Sequence, residues 1–310
     1  MNERIYWIDW LKVFTMILVV YAHVCSNAVV TVIFSFHMPL FFMISGYLHK
    51  QRQFKDELNV SFKTLIIPYY ILTFVFLFLH IDSDYKHYVN TALCSLEQAP
   101  FYIRPMWFVF SLAIIRIVTS VLKTLKNCVL FSFILIVVFS VLWKNDAIPY
   151  EIDVFQFYTT LLSYPFFIMG KIIAHNNILL KLNKASKILI WILCIPAIYL
   201  AIKNGQVNLI RCQCGQNLLF FYLNAIVLSL GTFILFAEIK QLNRYNYYIE
   251  MTAKSMIIIL AYQYTAICFL KIFIDGNSII SSVLITAIVM IVGFFLSQYS
   301  WKKFPILFGK

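Results

Sequence analysis

The sequence predicts an all-α integral membrane protein of about ten transmembrane helices with both termini in the cytoplasm. Hydrophobic residues make up 62% of the 310 residues, charged residues make up 12%, and the mean hydropathy is +0.84. A water-soluble domain carries about twice this share of charged residues. Apolar segments recur at the length that spans a bilayer, and basic residues concentrate in alternate loops. Both patterns are typical of a polytopic membrane protein.

Ten apolar segments are each close to the roughly 20 residues that a membrane-spanning helix needs. An even number of spans returns both termini to the same side of the membrane. No Pro/Gly/Ser-rich linker or internal repeat divides the chain, which favours one transmembrane domain over residues 1–310. The predicted spans are residues 7–28, 32–49, 62–80, 106–122, 128–143, 154–174, 187–202, 216–237, 253–274 and 279–299.

The distribution of lysine and arginine predicts the orientation. With the N-terminus in the cytoplasm, 18 of the 25 basic residues fall in cytoplasmic segments, 5 fall in outer segments, and Arg116 and Lys271 fall within spans. This agrees with the positive-inside rule. The net charge of +12 is therefore a topology signal. The basic residues form no aromatic-studded patch, so membrane lipids rather than nucleic acid are the expected partners.

The first span carries a polar stripe. Lys12 and His23 are eleven residues apart, about three helical turns, so both share one face roughly 16 Å apart along the axis. Asp9 and Asn27 lie near the same stripe. Titratable groups inside a bilayer are costly and usually face a protein-lined cavity with a function. For Asp9 and Lys12, the alternative is a surface ion pair at the cytoplasmic end of the helix.

The second span is expected to open with Phe34-Ser-Phe-His-Met-Pro39, which puts His37 at its outer end and Ser45 one to two turns deeper. Two imidazoles near the outer side can share general acid and base work on a hydroxyl. The alternative is that each histidine is a hydrogen-bonded packing residue. We predict His23 as the base, with Asn27 or His37 orienting it or the acceptor.

Several sequence blocks together resemble the membrane-bound acyltransferase 3 family, which includes bacterial O-acetyltransferases of surface sugars and fucose-type acetylases. The resemblance implies a ten-helix domain in the bacterial plasma membrane that takes acyl-CoA, here acetyl-CoA, from the cytoplasm and acylates a glycan or lipid-linked sugar. No metal is needed for this reaction. The matching blocks are Arg4 to Lys12, the ten-residue gap to His23, Phe34 to Pro39, Phe41 to Gly46, Ile67 to Tyr69, and Met106 to Phe108.

The family pattern also suggests donor-binding residues, with departures in this chain. Relatives usually have arginine where this chain has Lys12, and lysine lacks the planar fork that grips phosphate. Relatives often carry Arg-x-x-Arg in the cytoplasmic loop before the third helix, where this chain has Arg52, Lys55 and Lys63. These three residues and Lys12 are the expected CoA-binding cations. In the penultimate helix, where many relatives have histidine, the chain reads Tyr262-Gln263.

Arg116, in the fourth span, is a further candidate for binding the donor: either it lines the cavity and meets an anionic part of the ligand, or buried polar groups hold it. Trp107 is expected to pack or to anchor the interface. Direct acyl transfer is favoured over an acyl-enzyme on Ser45, because no base is evidently paired with that hydroxyl.

Other readings stay open at this stage. Polar residues and prolines within helices also suit a multi-pass transporter of a glycan precursor or a small polar solute, although no repeat is visible. Cys94 can form a disulfide with Cys212 or Cys214, since all three map to outer loops. The outer loop of residues 81–105, which includes Asp82, Asp84, Lys86, His87, Glu97 and Arg104, either contacts an external substrate or is a solvated connector.

Overall fold

The computed structural model describes residues 4–79, 85–95, 99–148, 153–276 and 278–309. Asp82, Asp84 and Glu97 of the outer loop lie outside the described residues. One two-residue antiparallel pair, β1 (Val207–Asn208) and β2 (Gln213–Cys214), forms a hairpin. The helices are α1 (Tyr6–Val24), α2 (Ala28–Leu48), α3 (Phe54–Ser61), α4 (Ile67–Leu79), α5 (Tyr85–Ala92), α6 (Trp107–Leu122), α7 (Leu125–Lys144), α8 (Phe157–His175), α9 (Ile178–Lys181), α10 (Lys184–Asn204), α11 (Leu218–Glu238), α12 (Tyr247–Lys254), α13 (Met256–Lys271) and α14 (Ile279–Lys303).

The predicted fold class is confirmed. In the described part of the chain, nine helical stretches are long and apolar enough to cross a membrane, and α12 with α13 forms a tenth, bent by 79°. Each predicted span corresponds to one of these. The third begins earlier than predicted, because α3 runs through a π-helical segment, Phe62–Ile66, into α4. The bend in the penultimate span was not predicted.

The loop between the first two spans keeps the expected length of three residues but lies four residues earlier than the sequence suggested. α1 ends at Val24 and α2 begins at Ala28, because the side chain of Asn27 accepts a hydrogen bond from the Val30 N–H at 3.0 Å. A capping side chain of this kind satisfies an otherwise unpaired amide of the first turn. His37 therefore lies nine residues into α2, roughly 14 Å from its start, and the expectation that it sits at the outer end of the helix was wrong.

Two glycines bring α2 and α8 into backbone contact. A Cβ atom on Gly46 would overlap the carbonyl of Phe167, and one on Gly170 would overlap the carbonyl of Met43. Small residues of this kind let membrane helices approach closely. α2 also packs against α1, α10 and α11, so it is the central helix of the bundle.

The bundle has two ends that differ in chemistry. Trp7, at the start of α1, packs against Tyr47 near the end of α2, with ring centroids 5.9 Å apart. At this same end the side chain of Gln51 donates to the carbonyl of Thr119, near the end of α6, at 3.2 Å. We call this the basic end, because Arg52, Lys123 and Lys171 lie there. The opposite end, where α1 finishes and the β1–β2 hairpin lies, is the hairpin end.

The disulfide that the sequence left open, between Cys94 and either Cys212 or Cys214, is not formed. Cys94, Cys212 and Cys214 are free and buried. The Cys94 sulfur lies 3.6 Å from the Tyr70 hydroxyl, and the Cys212 sulfur lies 3.7 Å from the hydroxyl of Thr159. Burial raises the pKa of the Cys94 thiol to about 11. These thiols are thus protonated packing groups at neutral pH.

Candidate active site

Both predicted catalytic histidines line one small cavity near the hairpin end, with a volume of about 140 Å³. His23 comes from the last turn of α1 and His37 from the middle of α2. Trp107 forms part of the same wall. The structure therefore brings together the two histidines of adjacent spans and Trp107, which is distant from both in sequence.

The protonation geometry of His37 is set by its own helix. Its Nδ1 lies 2.7 Å from the carbonyl oxygen of Ile33, one turn earlier. A carbonyl only accepts hydrogen bonds, so this contact places the proton on Nδ1 and leaves Nε2 as an acceptor. The imidazole is 3% exposed. His37 is thus a fixed hydrogen-bond acceptor in the cavity wall.

His23 is held by aromatic rings, by the backbone carbonyl of Val19 one turn earlier and by an amide. The ring of Tyr264 lies 4.6 Å from the imidazole between centroids, and the edge of Phe34 contacts both histidines, at 6.0 Å from His23 and 5.3 Å from His37. The side chain of Gln263 also interacts with the imidazole. The Nδ1 atom of His23 is buried and has no hydrogen bond of standard geometry to a described residue.

A second, open cavity of about 720 Å³ lies on the hairpin-end side of His23. Its polar wall includes Asn27, Lys271, Asp275 and Ser282. Among the described residues that line the two cavities, His23 is common to both. Asn27 therefore lies near His23 as predicted, but its side-chain amide oxygen accepts the hydrogen bond that caps α2. The imidazole of His23 stands between a small aromatic chamber and a larger polar one.

Arg104 and Tyr264 also line the small cavity, and the sequence did not single them out as site residues. Arg104 begins a 3₁₀ turn, Arg104–Met106, that leads into α6, and its Nε donates to the Ala99 carbonyl at 3.0 Å. The available signal was its position two residues before the Met106-Trp-Phe108 block. Tyr264 directly follows Gln263. This chain has no histidine in this segment, so the family pattern gave no signal for a site residue there.

The basic end contains a buried carboxylate that the sequence did not single out. Glu57 is fully buried and pairs with Arg116 at 2.7 Å and Arg52 at 3.0 Å, and its carboxylate lies 3.4 Å from His49. The hydroxyl of Ser61 donates to it at 3.1 Å. Of the two roles considered for Arg116, the structure shows the second, in which a buried polar group holds it. Arg52 likewise has a structural partner.

The remaining predicted donor-binding residues lie apart from this cluster. Lys55 and Lys63 are exposed, and neither forms an ion pair with a described residue. Lys12 is half-buried in α1. The expected pair between Asp9 and Lys12 is not formed, because Asp9 accepts a hydrogen bond from Arg4 at 2.6 Å.

Ser45 donates to the Phe41 carbonyl of its own helix at 2.8 Å and is not among the residues that line the small cavity. A group of three or more metal-ligating side chains is not found among the described residues.

Two open cavities adjoin the ion-pair cluster at the basic end, with volumes of about 740 and 430 Å³. They share Gln51 and Lys123. Arg52 borders the first, and Lys171 borders the second, where its ammonium donates to Gln51 at 2.6 Å. Burial lowers the pKa of the neighbouring His49 below the ordinary histidine value, so cationic charge here comes from lysine and arginine.

Comparison with known proteins identifies the family. The family model described as an acyltransferase domain, that of the acyltransferase 3 family, matches residues 5–302, nearly the whole chain. No curated protein and no solved structure shows significant similarity to the chain. The match covers the helices that form both ends of the bundle and is a match to enzymes, so the transporter alternative is not retained. The chain belongs to the acyltransferase 3 family and is a multi-pass membrane acyltransferase.

Proposed function

We propose that this enzyme is an O-acetyltransferase that moves an acetyl group from cytoplasmic acetyl-CoA to a hydroxyl of a glycan or lipid-linked sugar in the bacterial plasma membrane. The observation that carries the proposal is the position of His23, which borders both the small cavity and the open polar cavity. A base in this position reaches an acyl group on one side and an acceptor hydroxyl on the other.

The reaction needs a base, an electrophile held in place and a dry site. An unprotonated nitrogen of His23 takes the proton of the acceptor hydroxyl as its oxygen attacks the thioester carbonyl. The tetrahedral intermediate then collapses, the bond from carbon to sulfur breaks, and the CoA thiolate takes the proton from the imidazolium. Arg104, which lines the small cavity, supplies positive charge beside the oxyanion. His37 accepts a hydrogen bond through Nε2 and orients the acceptor.

The donor enters at the basic end, which the positive-inside rule assigns to the cytoplasm together with both termini. Arg52, Lys123 and Lys171 border its two cavities and favour the phosphates of CoA. Gly46 lines one of these cavities and His37 lines the small cavity; nine residues of α2, roughly 14 Å, separate them. The extended pantetheine arm of CoA spans such a distance. This assignment replaces the exposed Lys55 and Lys63 with Lys123 and Lys171.

The acceptor approaches from the hairpin end. The open cavity there combines an amide, a carboxylate and hydroxyls from Asn27, Asp275, Ser278 and Ser282. Such groups both donate and accept, as a polyhydroxylated sugar does. Direct transfer is favoured over an acyl-enzyme, since the hydroxyl of Ser45 is bonded to its own helix.

The test uses the purified enzyme in vesicles with radiolabelled acetyl-CoA and a panel of p-nitrophenyl hexosides, and measures labelled hexoside. We expect His23→Gln to lose about a hundredfold or more in kcat, the usual range for removing a general base. His37→Gln should lose less and should raise KM for the hexoside. Full transfer by His23→Gln, or transfer lost only in His37→Gln, would overturn the assignment of the base. Label trapped on the protein would favour an acyl-enzyme.

A further inference from the structure

A buried glutamine beside the proposed base has no evident structural purpose. Gln263, in α13, is 0% exposed, and neither atom of its amide makes a hydrogen bond of standard geometry with a described residue. A buried amide without a hydrogen bond costs about 1–3 kcal/mol. Packing alone favours an apolar residue at such a position, so the amide calls for another explanation.

The neighbour of this amide is the imidazole of His23. The two side chains interact, the backbone carbonyl of Val19 also reaches the imidazole, and the Nδ1 atom of His23 is buried without a standard hydrogen bond. Tyr264, the next residue of α13, packs on the same imidazole at 4.6 Å. Two consecutive residues of one helix thus contact the histidine, one through a ring and one through an amide.

We propose that Gln263 is a positioning residue for His23, whose amide fixes the orientation and tautomer of the imidazole during acetyl transfer. This inference rests on the proposed role of His23 as base. For one nitrogen to take the acceptor's proton, the other must carry hydrogen, and the carbonyl oxygen of Gln263 accepts that N–H. Catalytic hydrogen bonds that are long in the free enzyme often tighten when substrate binds.

An amide also suits the surroundings better than the carboxylate that orients histidine in many hydrolases. An ionised carboxylate within the bilayer is costly unless it is paired, as Glu57 is at the basic end. A neutral amide provides the acceptor without that cost. Because it also carries a donor, the same side chain can serve either tautomer of the imidazole.

The test compares isosteric changes at Gln263 with the same changes at Asn224, a second buried amide without standard hydrogen bonds, which lies in α11. The variants are Gln263→Met, Gln263→Glu, Asn224→Leu and Asn224→Asp. Transfer of labelled acetyl to p-nitrophenyl hexosides gives kcat, KM for acetyl-CoA and the pH dependence of kcat.

We expect Gln263→Met to lower kcat about tenfold or more, within the range of general-base catalysis, with KM for acetyl-CoA unchanged. In Gln263→Glu a negative charge favours protonation of His23, so the acid limb of the pH profile should move up by about one unit. The Asn224 variants should leave the profile in place. If Gln263→Met fails to fold, the pH dependence of kcat in Gln263→Glu is the test of the proposal.

A kcat of Gln263→Met within twofold of the wild type would overturn the inference, as would equal displacement of the profile by Asn224→Asp or an unmoved profile in Gln263→Glu. These results are distinguishable from failure of the proposed function, in which the wild-type enzyme itself transfers no acetyl group to any hexoside. If the wild type is active and the Gln263 variants keep its kcat and pH profile, only the proposed role of Gln263 is refuted.

Discussion

Glu57 is bound by side chains from three parts of the chain: Arg52 and His49 from the loop before α3, Ser61 from α3 itself, and Arg116 from α6. A buried charge with this many partners ties the loop to the membrane helices. The sequence could not reveal the pair with Arg116, because 59 residues separate the two side chains. Arg116 was recognised as unusual, but the identity of its partner depends on how α3 and α6 meet.

Replacing Glu57 with glutamine should therefore destabilise the protein. We expect a loss of about 2–3 kcal/mol, below the usual cost of breaking a buried pair because the Arg52 side chain is 35% exposed. The measurement is thermal unfolding in detergent. Glu238→Gln is the control: its pair with Lys187 is more exposed, at 47% for the carboxylate, and should change stability by less than about 1 kcal/mol. Equal Tm values for the two variants would contradict the structural role of Glu57.

At the scale of single elements, the sequence predicted helix positions better than helix ends and bends. Asn27 was considered as a functional residue, and its side chain also caps α2, which sets where the first loop ends. The 79° bend between α12 and α13 occurs at Ser255 without a proline to announce it. Both halves of the bent span pack against α1 and α14, contacts that local sequence does not record.

The contact between α2 and α8 provides a test at this scale. Gly46→Ala places a methyl group against the carbonyl of Phe167, a backbone atom that cannot move without shifting α8. We expect a loss of about 1–3 kcal/mol, as for overpacking in protein cores, measured by thermal unfolding. Gly231→Ala is the matched control, because its new methyl group meets the side-chain sulfur of Cys194, which can rotate away. Comparable losses in both variants would argue against a backbone contact.

For the whole molecule, composition and the spacing of apolar segments predicted the multi-span helical fold, and the first 48 residues carried most of the family resemblance. The closeness of His23 and His37 was also expected from those blocks, whereas the position of Trp107 beside them was not. The position of Arg104 in the wall of the small cavity was not predicted, because the contacts of a residue between helices depend on the tertiary fold. Of the expected donor-binding cations, Arg52 borders a cavity at the basic end and Lys55 and Lys63 do not, since charge in a loop does not tell which side chains border a cavity.

The proposed entry of acetyl-CoA at the basic end makes a prediction about Lys123. This exposed lysine borders both cavities there, whereas Lys126, three residues later, borders neither. Lys123→Ala should raise KM for acetyl-CoA about two- to fivefold, the effect of one exposed ion pair, and the increase should shrink in high salt. Lys126→Ala serves as the control. An unchanged KM in Lys123→Ala would move the donor site elsewhere.

The glycine contact between α2 and α8 has a consequence for where the proposed acetyl-CoA donor places its thioester. Because the backbones of the two helices are in contact at both glycines, the rise of α2 gives a fixed distance between the basic end and the small cavity that His23 and His37 line. An acetyl-CoA molecule whose phosphates are bound at the basic end therefore presents its thioester at one fixed position along α2. Under the proposed function, the close packing of one helix pair therefore sets the position along α2 at which the acyl group is delivered.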